Sequence, residues 1–125
     1  MFKLTKINQD QRGEIYAIEG GLKEHQEILL LATKNGYSRG GCIHRKHNEF
    51  YVILEGRIKY FIGKKLPKIL GKGDSGVITK NTPHYMISLT DSLMIEWGPD
   101  IEEKREKDKV FRKKVDKINA AIGKK

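Results

Sequence analysis

A single cysteine, Cys42, stands among the 125 residues. No internal disulfide can form, so the residue acts, if it acts at all, as a thiol, a ligand or a small buried apolar group. No apolar run approaches the roughly 18 to 20 residues that span a bilayer. The opening Met1-Phe2-Lys3-Leu4-Thr5-Lys6 lacks the apolar stretch of a signal peptide. A cytoplasmic protein with no membrane partner is expected. Internal repeats and low-complexity segments are also absent, which leaves one domain of a size that buries roughly two thirds of its unfolded surface. Acidic residues are in deficit, 16 against 25 Lys and Arg, for a net charge of +9. Much of the excess lies in residues 102 to 125. There acids interleave with the bases, as in Glu103-Lys104-Arg105-Glu106-Lys107-Asp108, and no aromatic stacking platform accompanies them. That pattern reads as a solvated helix face and disfavours nucleic acid as a partner.

Up to Trp97 the apolar residues come in short bursts between turn residues, a spacing that predicts strands. These are expected over 15–18, 27–33, 41–44, 49–55, 57–62, 67–70, 75–78, 84–88 and 92–97. Gly20-Gly21, Asn35-Gly36, Glu55-Gly56, Gly71-Lys72-Gly73-Asp74 and Thr90-Asp91 supply the breaks. Many short strands at this spacing predict a closed barrel or jelly roll, an all-β body over residues 1–98. Beyond Gly98-Pro99-Asp100 the period changes. Ile101, Val110, Phe111, Val115, Ile118 and Ile122 fit a helical stripe, with Asp100 as N-cap and Glu102 and Glu103 in the first turn. Residues 99–125 are therefore read as a basic helical tail whose stripe packs on the barrel or on a second subunit.

Two stretches concentrate donor side chains: Gly36 to Glu49, and Pro83-His84. Alternation in a strand puts Cys42 and His44 on one face. A strand starting at Glu49 can bring its carboxylate beside them, and His84 can join from a third. Imidazole, carboxylate and thiolate together suit Zn, Fe, Ni or Mn. His47 is out of phase with His44 and reads as a surface residue or a substitute ligand, while His25 has no partner at meaningful spacing. Tyr37, Tyr51, Tyr60, Tyr85, Phe61 and Met86 read as barrel packing first and ligand contacts second.

The spacing resembles the two motifs of the cupin superfamily. Gly36, Cys42, His44, Glu49 and Gly56 occupy the places of the first, with Cys42 where the first histidine would stand. Gly73 and His84 match the second, while Thr79, Asn81 and Ser88 take its Pro, Gly and Asn places. Ser38-Arg39-Gly40-Gly41-Cys42-Ile43-His44 and the opening Asp10-Gln11-Arg12-Gly13 are similar to segments of small cupins in capsular-polysaccharide and nucleotide-sugar metabolism. The resemblance implies a jelly-roll barrel that commonly pairs as a homodimer, and a divalent metal on His44, Glu49 and His84, with Cys42 or water completing the set.

The function expected on this basis is that of a metal-binding cupin acting on a small polar metabolite such as a sugar or sugar nucleotide, by isomerase or epimerase chemistry. The metal would polarise an oxygen while a neighbouring base moves a proton. Without a metal, His44 would serve as general base and Tyr85 as acid. Arg39, Tyr51 and Met86 are the expected substrate contacts. The alternative is a binding or sensing module that uses the same pocket without chemistry, since the fold hosts both.

Overall fold

In the computed structural model, residues 3–19, 26–100, 103 and 105–123 are described. His25, Ile101, Glu102 and Lys104 lie outside them. Eleven strands form two antiparallel sheets. The first carries β1 (Lys3–Asp10), β2 (Gly13–Glu19), β3 (Gln26–Thr33), β5 (Glu49–Glu55), β8 (Ser75–Ile78) and β10 (Ser92–Asp100), in the order β1-β2-β3-β10-β5-β8. The second carries β4 (Ser38–Ile43), β6 (Ile58–Ile62), β7 (Lys68–Leu70), β9 (His84–Ser88) and β11 (Glu106–Lys107), in the order β11-β4-β9-β6-β7. One helix, α1 (Lys109–Gly123), follows. Pairing of strands distant in sequence, β10 between β3 and β5 and β9 between β4 and β6, makes this the jelly roll that the strand spacing predicts.

Strand alternation decides what faces inward. In β5 the buried positions are Glu49, Tyr51 and Ile53, while Phe50 is exposed. Ile53, Ile58, Tyr60, Ile78 and Met94, contributed by both sheets, are almost fully buried and form the core with Leu29, Leu31, Tyr51 and Met86. Their removal from water is the main stabilising term, about 1.5–3 kcal/mol for each fully buried large apolar side chain. The inward face of β5 therefore begins, at the barrel's end, with a carboxylate.

Each expected strand is present, 49–55, 75–78 and 84–88 with the expected bounds and the other six with shifted ends, and two more appear. β1 is polar and exposed along almost its whole length, so it carries no burial alternation to read; it is held by its ladder with β2. β11 is only two residues long and pairs Glu106 with Ile43 and Lys107 with Cys42. The helix begins later than expected. Asp100 ends β10, and the N-cap is Asp108, whose Oδ2 accepts a 3.0 Å hydrogen bond from the Phe111 amide. Glu103 therefore precedes the helix and serves elsewhere. The apolar stripe of α1 is partly covered by the barrel: Val115 is fully buried, Phe111, Ile118 and Ile122 are half-buried and Val110 is exposed, and the helix packs mainly on β4 with a smaller contact to β9.

Candidate metal centre

The barrel's open end gathers four donor side chains. Cys42 lies in β4 opposite His84 in β9, their register partners in the ladder. His44 follows the end of β4, and Glu49 opens β5 from the facing sheet. The donor atoms of Cys42, His44 and His84 all lie within 4.8 Å of one another. Glu49 Oε2 stands 3.0 Å from Nε2 of His44 and 3.0 Å from Nε2 of His84. His44, Glu49 and His84 are all buried.

Both imidazoles turn their Nδ1 atoms away from this point. His84 Nδ1 donates to the Thr82 carbonyl oxygen at 3.1 Å, and His44 Nδ1 faces Glu103 Oε2 at 3.3 Å. An acceptor behind Nδ1 favours the tautomer that leaves the Nε2 lone pair free for a ligand bond. Glu49 Oε2 is buried and, though close to both Nε2 atoms, is aligned for a hydrogen bond with neither. Two Nε2 atoms each 3.0 Å from one buried carboxylate oxygen, with the Cys42 thiol 3.8 Å from His84 Nε2, make a donor set that a shared cation fits. Two imidazoles, a carboxylate and a thiol match the donor preferences of Zn, Fe, Ni and Mn.

Charge within the set is mutually adjusted. Burial pushes the Cys42 thiol up, but His44 and His84 beside it outweigh burial and bring it down to about 6. Burial lowers the basicity of His44, yet the neighbouring Cys42 and Glu49 raise it to about 9. Burial likewise works against ionised Glu49, and the two histidines overcome it, holding the carboxyl well below its usual range. Burial and the adjacent Glu49 charge push Glu96 well above the ordinary carboxyl range.

A cavity of about 260 Å³ opens in front of the donors. Cys42, His44, Glu49 and His84 line it, together with Arg39, Met86, Tyr60 and Glu96. Arg39 is only 5% exposed; its Nε donates to Thr33 Oγ1 at 2.8 Å and its Nη2 to the Ala32 carbonyl at 3.2 Å. Two expected site residues are elsewhere. Tyr85 lies between His84 and Met86 and so points to the opposite face, where it stacks on Phe61 (centroids 4.4 Å apart) and meets Phe111 of α1 edge-on at 4.9 Å. Alternation, which brings His84 inward, takes Tyr85 out of the site. Tyr51 belongs to the hydrophobic core, its ring 4.9 Å from that of Tyr60, and does not line the cavity. His47 is half exposed and bonds Glu103 Oε1 at 3.1 Å, outside the donor cluster.

Glu96 and Glu103 escaped the sequence reading. The signal for Glu96 was available, since alternation in β10 places it on the same face as buried Met94. For Glu103 there was none, because its carboxylate reaches His44, His47 and the Lys46 amide (2.9 Å) across 56 or more residues of chain.

Residues 34–97, just over half of the chain, match the cupin domain family. The chain is a cupin. The capsular polysaccharide assembling protein CapF from Staphylococcus aureus shares the fold with a TM-score of 0.72 at 16% identity, over 85% of this chain and 32% of CapF. This cupin thus spans about a third of CapF's length. KdgF from Halomonas sp. gives a TM-score of 0.65 at 17% identity, covering 74% of this chain and 83% of KdgF. Bacillus subtilis oxalate decarboxylase, a protein with Mn(II) centres, gives 0.69 at 14% identity, over 85% and 30% of the two chains. No curated protein matches by sequence.

Proposed function

We propose that this cupin holds one divalent transition metal on His44, Glu49 and His84, with Cys42 as fourth donor, and acts on a small polar metabolite of the sugar or sugar-derivative class. The observation that carries the reading is the convergence of both Nε2 atoms on the buried, otherwise unpartnered Glu49 Oε2. A metal bound there would supply a Lewis acid able to polarise a carbonyl or hydroxyl oxygen. The chain's own groups do the rest. Arg39 and Met86 form the wall against which a substrate lies, one offering a guanidinium and the other an apolar surface. Glu96, in the same cavity, is the carboxyl placed to exchange a proton with a substrate carbon or oxygen, the role that Tyr85 cannot fill from the far face. Proton movement beside a polarised carbonyl is what keto-sugar isomerisation and epimerisation require.

Elemental analysis of the purified wild type and of His44→Ala tests the metal. Near-stoichiometric metal in the wild type and its loss in the variant are expected; sub-stoichiometric metal in both removes the ligand assignment. Turnover of keto-sugars that Glu96→Gln abolishes while the metal is retained would make the site catalytic. Ligand binding without turnover would make the protein a sensing or carrier module.

A further inference from the structure

The cavity in front of the donors is lined by five cationic side chains, Arg12, Arg39, Arg105, Lys107 and Arg112, against two carboxyls, Glu49 and Glu96. Arg39 is buried and makes no close ion pair among the described residues, while the Asp10 and Glu96 carboxyls act on it from further away. A buried guanidinium compensated only at a distance gains from a further anion beside it. A second, more open cavity of about 380 Å³ adjoins the first, and Arg12 and Arg112 line both.

These two arginines are held by part of their donor set only. Arg12 engages Asp10 through Nε and Nη2, while Arg112 gives Nη1 to the Gly40 carbonyl at 3.2 Å and Nε stands 3.4 Å from Asp116. Arg12 Nη1 and Arg112 Nη2 have no hydrogen-bond partner among the described residues, nor has the Lys107 ammonium. Arg112 is seated closely. A Cβ on Gly41, where φ is +79°, would fall 2.7 Å from Arg112 Cα, so only glycine lets α1 come this near β4. Arg12, Lys107 and Arg112 lie outside residues 34–97, on the β1–β2 turn, on β11 and on α1.

We propose that Arg12, Lys107 and Arg112 form an oxyanion subsite at the mouth of the pocket. The ligand is then bipartite: a small hydroxylated or carbonyl group inside, beside the donors, and a phosphate or carboxylate held between Arg12 and Arg112. This deepens the proposed function and rests on it for the inner group. The size supports it, because 260 Å³ lies below the roughly 300–1,000 Å³ of pockets for drug-sized ligands. A monosaccharide-sized group would fill the inner cavity, and a larger ligand would extend past Arg12 and Arg112, which line both, into the outer one. Guanidinium groups suit the role, since their fixed forks bind phosphate and carboxylate oxygens in pairs.

Calorimetric titration of the full chain, with its metal content measured, tests the subsite. The probes are methyl glucoside, glucose 1-phosphate, glucuronate and inorganic phosphate at low ionic strength. At least one anionic probe should bind about tenfold or more tightly than methyl glucoside, and Arg12→Gln and Arg112→Gln should each reduce that advantage about tenfold. Preference for the sugar phosphate or for the uronate identifies which oxyanion is used. Lys107→Gln, on an exposed two-residue strand, is the variant least able to disturb folding and should weaken the same probe. The subsite is overturned if neutral and anionic sugars bind alike, if the anionic preference survives all three substitutions, or if no anionic probe, inorganic phosphate included, binds at millimolar concentration. Anion binding without bound metal would sink the metal assignment and leave the subsite standing. Metal without anion preference would do the reverse.

Discussion

At the scale of single residues, the donors depend on groups behind them. The Glu103 carboxylate is 3% exposed and stands 3.3 Å from His44 Nδ1, placed to orient the ring once Nε2 takes a ligand. Glu103→Gln should therefore weaken metal affinity by about 10- to 100-fold while the circular dichroism spectrum stays unchanged. Competition against a coloured chelator measures it, and equal affinities would remove Glu103 from the site. Cys42 is the departure from the cupin motif, and its neighbours already favour the thiolate, at about 6. If it ligates, Cys42→Ser should retain metal less well and Cys42→His should restore retention, because a hydroxyl is the poorer ligand for these metals. Unaltered metal content in Cys42→Ala would reduce it to a packing residue.

Among elements, the β1–β2 turn and the seat of α1 bear most directly on the pocket mouth. Asp10 accepts from Arg12 through both oxygens, and the Arg12 hydrogen bonds, set against partial burial, lower its carboxyl below the ordinary 3.8. The folded state therefore prefers ionised Asp10. Its contribution is fully present above the unfolded value near 3.8 and is lost as pH falls through the lower folded one. The melting-temperature gap between wild type and Asp10→Asn should be widest at neutral pH and close in acid; a constant gap would mean that the charge is not what stabilises the turn. Gly41 is the corresponding point on α1. Gly41→Ala combines a positive φ with a Cβ 2.7 Å from helix backbone, which should cost more than about 1 kcal/mol. At roughly 3–5 °C per kcal/mol, between the values for domains of 60–100 and 150–250 residues, thermal unfolding would show it. An unshifted melting temperature would mean that α1 does not depend on this close approach.

For the whole molecule, the surface that could join two chains is not the one the sequence suggests. Much of the apolar stripe of α1 lies on its own barrel, with Val115 fully buried and Val110 exposed, so the helix calls for a second subunit less than the sequence suggests. The longest edge strand is β1, which exposes Leu4 (56%) and Ile7 (52%), whereas the edge strands β7 and β8 are shorter and expose Ile69 and Val77. Long exposed edges invite pairing with another chain. A homodimer joined along β1 is the expected state, giving twice the 14.4 kDa chain mass by light scattering. Ile7→Lys should return it to monomer, and a dimer unaffected by that change would place the interface elsewhere.

The barrel was legible in the sequence, because alternation and turn residues act locally, and so was the grouping of Cys42, His44, Glu49 and His84, which sit at motif spacing on strands whose facing is set by a two-residue period. The sequence also marked the chiral constraint at the second motif's glycine place, where Asn81 takes a φ of 68° that asparagine tolerates better than most residues. The groups around these residues come from long-range packing. Glu103 reaches His44 only because the chain after β10 returns to the open end, and Arg112 faces the pocket only because α1 comes to rest on Gly41. Those contacts join residues about 60 to 70 positions apart without regular spacing. Such long-range placement follows from how the sheets and the helix close on one another, and no local periodicity encodes it.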